Sequence, residues 1–221
     1  MHPLEIWYVI PSTNPARAAQ CLEAWSALGY KTACVLDEGL SSIRCDQLTT
    51  VKPYPGYFTT VNKAAKQLLA STDASLIVTG GDDMYPHPTL KAQAIGEQFF
   101  EHFPDGFGVM QPVGDKAIPG VENICGSPWM GRSFCERSYG GKGPFWHDYY
   151  AYFGDQELKE IAEQWSVLWQ REDLTQIHLH WARPGGPQKQ PYQHRNETYW
   201  ERDKQIHAHR ATAGFPGSEC A

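Results

Sequence analysis

Two adjacent carboxylates, Asp82 and Asp83, follow a glycine pair at the end of the apolar run Leu76-Ile77-Val78-Thr79. The run reads as a short buried strand, and Gly80 and Gly81 let the backbone come close to whatever lies beyond it. Open α/β sheets bind ligands just past such strand ends. Carboxylates delivered there suit a hard divalent cation that neutralises a diphosphate. The plainer reading is an acidic turn in which Asp82 or Asp83 only caps a helix beginning near Pro88.

Other polar groups show a pattern without fixing a role. His178 and His180 alternate, so on a strand they share one face, with Ile177 and Leu179 on the other. His207 and His209 repeat that spacing inside a predicted helix, where the two do not share a face, so a four-histidine zinc site is a poor fit. Gly140-Gly141-Lys142-Gly143 looks like a phosphate loop, but lacks the following Ser or Thr and the helix that a P-loop requires.

The elements that must position these groups are legible in outline. Residues 4–10 form a β-rich apolar run. Asn14 can cap a helix with Pro15 at its first position, and Gly29 can close it. Between them Ala18, Cys21, Leu22, Trp25 and Leu28 fall on one face. A second strand over 31–36 ends at Asp37-Glu38-Gly39, giving a βαβ unit that opens a Rossmann-like half-sheet. Residues 52–56, with two prolines, form a loop. A helix over 58–70, a strand over 76–79, a helix over about 88–102 and a strand over 107–111 follow. Residues 112–150 are rich in Gly, Pro and aromatics and read as an irregular binding surface with short elements. Residues 155–168 form an amphipathic helix with Leu158, Ile161, Ala162, Trp165 and Leu168 inward, and 174–181 alternate as a strand. Thr198-x-x-Glu201 offers a capping box for a last helix to about Arg210.

Composition sets the boundaries. The chain has 221 residues, 41% of them hydrophobic and 13% aromatic, which suits a folded globular protein of one domain. A net charge of −6 shows no global basic field for nucleic acid, though a local groove could still be basic. Six cysteines (Cys21, Cys34, Cys45, Cys125, Cys135, Cys220) form no C-x-x-C pair, and no signal peptide or membrane-length apolar run is seen. The expectation is a soluble cytoplasmic protein with reduced thiols.

The order of these pieces resembles the GT-A glycosyltransferases, family 2-like members above all, over roughly residues 4–181. The resemblance rests on Ile10-Pro11-Ser12-Thr13-Asn14, Asp37, Asn62, Gly81-Asp82-Asp83, Arg132, Gly140-Gly141 and Gly154-Asp155-Gln156-Glu157-Leu158. In size and in lacking an anchor the chain looks most similar to small virus-encoded, DNA-modifying members. That implies an α/β fold, a Rossmann-like single domain whose central, mostly parallel sheet is flanked by helices. The nucleotide-sugar half would span about 1–111 and the acceptor half about 112–221.

The resemblance also implies chemistry. It makes the chain a metal-dependent, inverting glycosyltransferase that takes a sugar from a UDP- or GDP-sugar to an acceptor hydroxyl. Asp83 would ligate Mn²⁺ or Mg²⁺, with His180 or His178 completing the shell, and Asp82 would contact ribose or metal-bound water. Pro11, Thr13, Asp37 and Asn62 would line the donor pocket. Asp155, near a helix N-terminus, would be the general base, although Asp there is also a preferred cap; Glu157 then reads as an ordinary first-turn acid. Gly140 and Gly141 would edge the acceptor site, with Trp129, Trp146 and Tyr149 as stacking surfaces, although each aromatic could equally be core. Two departures stand out: Gly81 occupies the first position of the usual Asp-x-Asp triplet, and Gly154 replaces the first acid of the usual Glu-Asp pair. The tail interleaves Lys189, Arg195, Arg202, Lys204 and Arg210 with Tyr192, His194, Tyr199 and Trp200, a mixture suited to nucleic acid, although its acids make a solvated helix face the plainer reading. With the viral resemblance, this points to a 5-hydroxymethylpyrimidine in DNA, 5-hydroxymethylcytosine above all, flipped from the duplex, as acceptor. The rival readings are a saccharide or protein acceptor, a sugar nucleotidyltransferase and a non-catalytic nucleotide-sugar-binding protein.

Overall fold

The computed structural model of the protein describes residues 3–37, 39–117 and 120–218. Its opening unit follows the local signals. Strand β1 (Glu5–Ser12) leads into helix α1 (Pro15–Ser26), where the Asn14 side chain accepts from the Arg17 N–H at 3.1 Å and Pro15 takes the first position. Strand β2 (Lys31–Asp37) then pairs parallel with β1. Strand β3 (Gln47–Val51), which shows no apolar run in sequence, adds to the outer edge of β2.

Helix α2 (Tyr57–Ser71) precedes strand β4 (Ala74–Thr79), which runs parallel to β1 and ends at the glycine pair. Strand β5 (Met84–Tyr85) follows, then helix α3 (Ala92–His102), which starts four residues later than the sequence predicts, and strand β6 (Val109–Pro112). The Gly- and Pro-rich stretch is not all surface. Strand β7 (Trp129–Gly131) within it lies in the middle of the sheet, antiparallel to both β4 and β6. Helix α4 (Arg132–Arg137) continues directly from it.

Helix α5 (Gly154–Gln164) ends before Trp165, so the stretch read as its last turn instead leads into strand β8 (Leu168–Arg171), parallel to β6. The strand expected over 174–181 shrinks to β9 (Ile177–His178), which pairs antiparallel with β5. Helix α6 (Pro191–Glu197) has the capping box, formed by Gln190 and Gln193. Helix α7 (Trp200–Thr212) has no side-chain cap, and the Thr198 hydroxyl donates back to the Arg195 carbonyl, so the predicted Thr198–Glu201 box is absent.

Seven strands thus form one sheet, in the order β3-β2-β1-β4-β7-β6-β8, with β5 and β9 as a separate ribbon. Strand alternation gives the sheet two buried faces. Ile6, Tyr8, Ile10, Leu76 and Val78 pack under α1 and α3, while Trp7, Val9 and Ile77 pack under α2, α4 and α5. Five cysteines of the described residues are free thiols, and Cys220 lies outside those residues. No helix among the described residues is long and apolar enough to cross a membrane.

Candidate active site

The acidic turn between β4 and β5 is held from behind by buried aromatics. Tyr8 stacks on Trp25 with ring centroids 3.8 Å apart. The Tyr8 hydroxyl donates to the Gly81 carbonyl at 2.7 Å, and the Trp25 indole N–H donates to the Met84 carbonyl at 2.8 Å. From the other side the Tyr57 hydroxyl donates to the Gly80 carbonyl, and Ser127 to that of Thr79. A Cβ at Gly80 would lie 2.6 Å from the Tyr8 oxygen, and one at Gly81 would lie 2.5 Å from Asp83 Oδ1. The buried, stacked Tyr8 leaves no room for a side chain at Gly80, whereas one at Gly81 would require the Asp83 side chain to turn.

The two aspartates have different surroundings. Asp82 is 4% exposed and both its oxygens are engaged: Oδ2 accepts from the Ser12 hydroxyl, and Oδ1 meets Arg17 Nη2 at 2.5 Å. Burial still raises its carboxyl above the ordinary value, only partly offset by Ser12 and Arg17. Asp83 faces the histidines instead, its Oδ1 lying 3.4 Å from His178 Nε2. Burial works against its charge, but His178, Arg17 and His180 outweigh it and hold the carboxyl below its usual value. The β5–β9 ribbon makes this meeting possible, because it sets Met84 opposite His178. Asp115 fixes the histidine segment by accepting from the His178 N–H at 3.1 Å and from Arg183 Nη1 at 2.5 Å. The His178 and His180 rings lie 4.9 Å apart, and burial, with His178 beside it, lowers the pKa of His180.

Asp83, Asp155, His178 and His180 line one cleft of about 300 Å³, whose wall also carries Tyr57, Tyr152 and Trp181. Asp155 sits inside the first turn of α5 and does not cap it, since the preceding cap position is Phe153 in the left-handed region, φ 67°. Burial raises the Asp155 carboxyl, and the backbone N–H groups of Asp155 and Gln156 with His207 only partly offset this. Next to the cleft lies a smaller hollow lined by Pro11, Thr13, Asp82, Tyr54, Tyr192 and Arg195. A third, open hollow is lined by Thr13, Arg17, Asp37, Tyr192 and Arg195. Asp37 Oδ1 is buried without a hydrogen-bond partner among the described residues. Helix α6, which has no counterpart in the sequence prediction, supplies residues to all three.

Several sequence-predicted site residues lie elsewhere. Asn62 is not presented to a donor: its Nδ2 donates to the Phe145 carbonyl at 2.7 Å and its Oδ1 accepts from the Phe145 N–H at 3.1 Å. Trp129 is wholly buried in β7, edge-on to Tyr30 and hydrogen-bonded to Gln176, so it is core and offers no stacking surface. Trp146 lies beneath the Arg210 guanidinium, 3.5 Å from its ring centroid, and does not line the cleft. Gly140 and Gly141 form a left-handed turn (φ 61° and 72°) that lines none of these hollows. Arg132 binds the carbonyls of Leu69, Thr72 and Ala74 at the end of α2. Glu157 is no ordinary first-turn acid. It is fully buried, accepts from Arg210 Nε at 2.8 Å and Nη2 at 2.7 Å, and also accepts from the Tyr139 and Tyr149 hydroxyls, which removes Tyr149 from the acceptor surface.

The donor set fits a divalent cation only in part. Asp83 Oδ1 and His178 Nε2 converge and Asp83 is held ionised, yet among the described residues no group of three His, Cys, Asp or Glu side chains could hold an ion.

No family model matches this sequence, and no curated protein matches it. Solved structures do. The Drosophila beta-1,4-galactosyltransferase 7, in a complex with manganese, UDP-Gal and xylobiose, superposes with a TM-score of 0.51 at 12% identity, over 86% of this chain and 79% of that one. A197 from STIV gives a TM-score of 0.47 at 11% identity, over 79% of this chain and 85% of that one. HddC from Yersinia pseudotuberculosis gives 0.46 at 10% identity, over 92% of this chain and all of the other (100%). The class that results is a fold class: this chain has the GT-A fold of glycosyltransferases, with its acidic turn at the ligand edge of the sheet.

Proposed function

We propose that the protein is a glycosyltransferase that moves a sugar from a nucleotide-sugar to an acceptor hydroxyl. One observation carries the reading: Asp83 and Asp155 line a single cleft with two histidines, at the strand ends where this fold class binds ligands. The nucleotide would lie in the adjoining hollows, where Pro11, Thr13 and Asp37 offer a wall and an unpartnered acceptor. A Mn²⁺ or Mg²⁺ ion held by Asp83 with His178 or His180 would offset charge growing on the departing diphosphate.

Asp155 acts as general base in this reading. It takes the proton from the acceptor hydroxyl as that oxygen attacks the anomeric carbon, and the bond to the diphosphate oxygen breaks. In this reading the acceptor attacks the face of the sugar opposite the departing diphosphate, so the configuration inverts.

For the acceptor, the cleft wall carries Asp83, Asp155 and Glu197 against Lys189, which itself pairs with Glu197. Other basic residues of the tail are also engaged within the molecule: Arg195 lies over Tyr54, Arg202 pairs with Asp203 and Arg210 with Glu157. Those placements favour an uncharged hydroxyl compound such as a saccharide over 5-hydroxymethylcytosine in DNA. The test is mass spectrometry of oligosaccharide and hydroxymethylcytosine-DNA acceptors after incubation with UDP- and GDP-sugars and Mn²⁺. A hexose-sized gain on a saccharide that vanishes in Asp155→Asn is expected. A gain on DNA alone would reassign the acceptor, and pyrophosphate release from NTP and sugar phosphate would replace the reading with nucleotidyl transfer.

A further inference from the structure

Arg17 stands where no role has been assigned to it, on the carboxylate that the fold class offers to its ligand. Its Nη2 meets Asp82 Oδ1 at 2.5 Å and lies 3.3 Å from the Tyr192 hydroxyl, while its Nε–H is buried with no partner among the described residues. The side chain keeps 20% of its surface accessible, in the hollow it shares with Thr13, Asp37 and Arg195. We infer that Arg17 is a built-in cation for the donor's diphosphate, sharing leaving-group stabilisation that the acidic turn alone cannot arrange.

The argument runs through charge and geometry. Gly81 removes one carboxylate from the turn, and Ser12 with Arg17 occupies both oxygens of a second. Asp83 is left as the single uncommitted acid, with one histidine within 3.4 Å. Such a set holds a divalent ion weakly until phosphate oxygens join it. A guanidinium already fixed at the same turn needs no loading, and its planar fork matches phosphate oxygens better than a point charge does. Asp82 is then a positioning residue, aiming the guanidinium and preserving its charge against burial.

This inference rests on the glycosyltransferase reading, and the test separates the two. Calorimetric titration of the full chain with UDP, GDP and inorganic pyrophosphate is run in excess chelator and again with Mn²⁺. Wild type is expected to bind a diphosphate in chelator, more weakly than with Mn²⁺ but measurably. Arg17→Met should lose at least tenfold in affinity in chelator, and Arg17→Lys should recover part of it. Because Arg17→Met leaves Asp82 buried and unpaired, the Arg17→Met/Asp82→Asn double variant controls for folding and should show the same loss. Unchanged chelator-phase affinity in that folded double variant overturns the role of Arg17, as does wild-type binding that is absent without Mn²⁺. Diphosphate binding with no sugar transfer to any acceptor would instead strike the glycosyltransferase reading and leave Arg17 standing.

Discussion

Two acids of the first turn of α5, the buried Glu157 and the partly exposed Asp155, differ in how completely they are answered. Glu157 points into the core and receives four hydrogen bonds, two from Arg210 and one each from Tyr139 and Tyr149. Asp155, two residues earlier, accepts a backbone N–H from Gln156, has no side-chain donor among the described residues, and lines a cleft. The first arrangement ties α7 to α5 and leaves no acceptor to spare. The second leaves oxygen atoms free at the cost of charge in a poorly solvated place. A saturated acid builds the molecule; an unsaturated one in a cleft is available for chemistry.

The sharpest way to break this contrast is to neutralise the cleft. Asp155→Asn should lower turnover about 100- to 10,000-fold, the usual worth of a positioned base. Asp83→Ala should fall in a similar range, with circular dichroism close to wild type in both. Full activity of Asp83→Ala, or of Arg17→Met in excess chelator, would end the electrostatic account of the turn.

The saturated acid should respond in the opposite way. Glu157→Ala strands a buried guanidinium and two tyrosine hydroxyls, and urea unfolding should show a loss of about 3–5 kcal/mol. Turnover per folded molecule should change little. A smaller effect is expected at Asp203, whose carboxylate gathers the N–H groups of Tyr150, Ala151 and Tyr152. Asp203→Ala should cost about 1–3 kcal/mol and raise the acceptor KM by loosening that wall of the cleft.

The pH dependence gives the finest distinction. Because burial raises the Asp155 carboxyl, turnover should rise with pH along a limb displaced above the ordinary carboxylate range, and Asp155→Asn should erase that limb. For stability the same shift works the other way: the contribution of Asp155 is full below its unfolded pKa and is lost as pH rises through the folded one. Asp155→Asn should therefore unfold no earlier than wild type at neutral pH. Asp83, held low, contributes stability above its unfolded pKa and loses it as pH falls through the folded one. Melting curves across pH for the two single variants would distinguish these directions.

Much of this frame is readable in the chain, because its signals are local. Asn14-Pro15 and the apolar spacing of Ala18, Cys21, Leu22 and Trp25 mark α1, and the run before Gly80 marks β4. Elements without a strong local pattern escape. Strand β3 alternates only between partial and full exposure, and β7 has three residues inside a glycine- and proline-rich stretch. The start of α6 uses glutamines where the familiar box has Ser or Thr and Glu. At the site, Asp83 and Asp155 could be found from their flanking glycines. The Arg17–Asp82 pair, the Glu157–Arg210 pair and the double use of Asn62 are contacts between distant parts of the chain, and nothing in the neighbouring residues announces them. Glu157 in particular carries the same local signal as Asp155, and only the pleat of tertiary packing separates their roles.

The little β5–β9 ribbon carries a temporal consequence. His178 reaches Asp83 only through two paired residues contributed late in the chain, and α6 arrives later still. A ribosome-bound chain that had emerged only through β4 and β5 would carry the acidic turn and its aromatic backing without histidines or α6. Asp83 therefore gains its imidazole neighbour only after Ile177 and His178 have been made, and a product truncated ahead of Ile177 would lack both that contact and the Arg210 that answers Glu157.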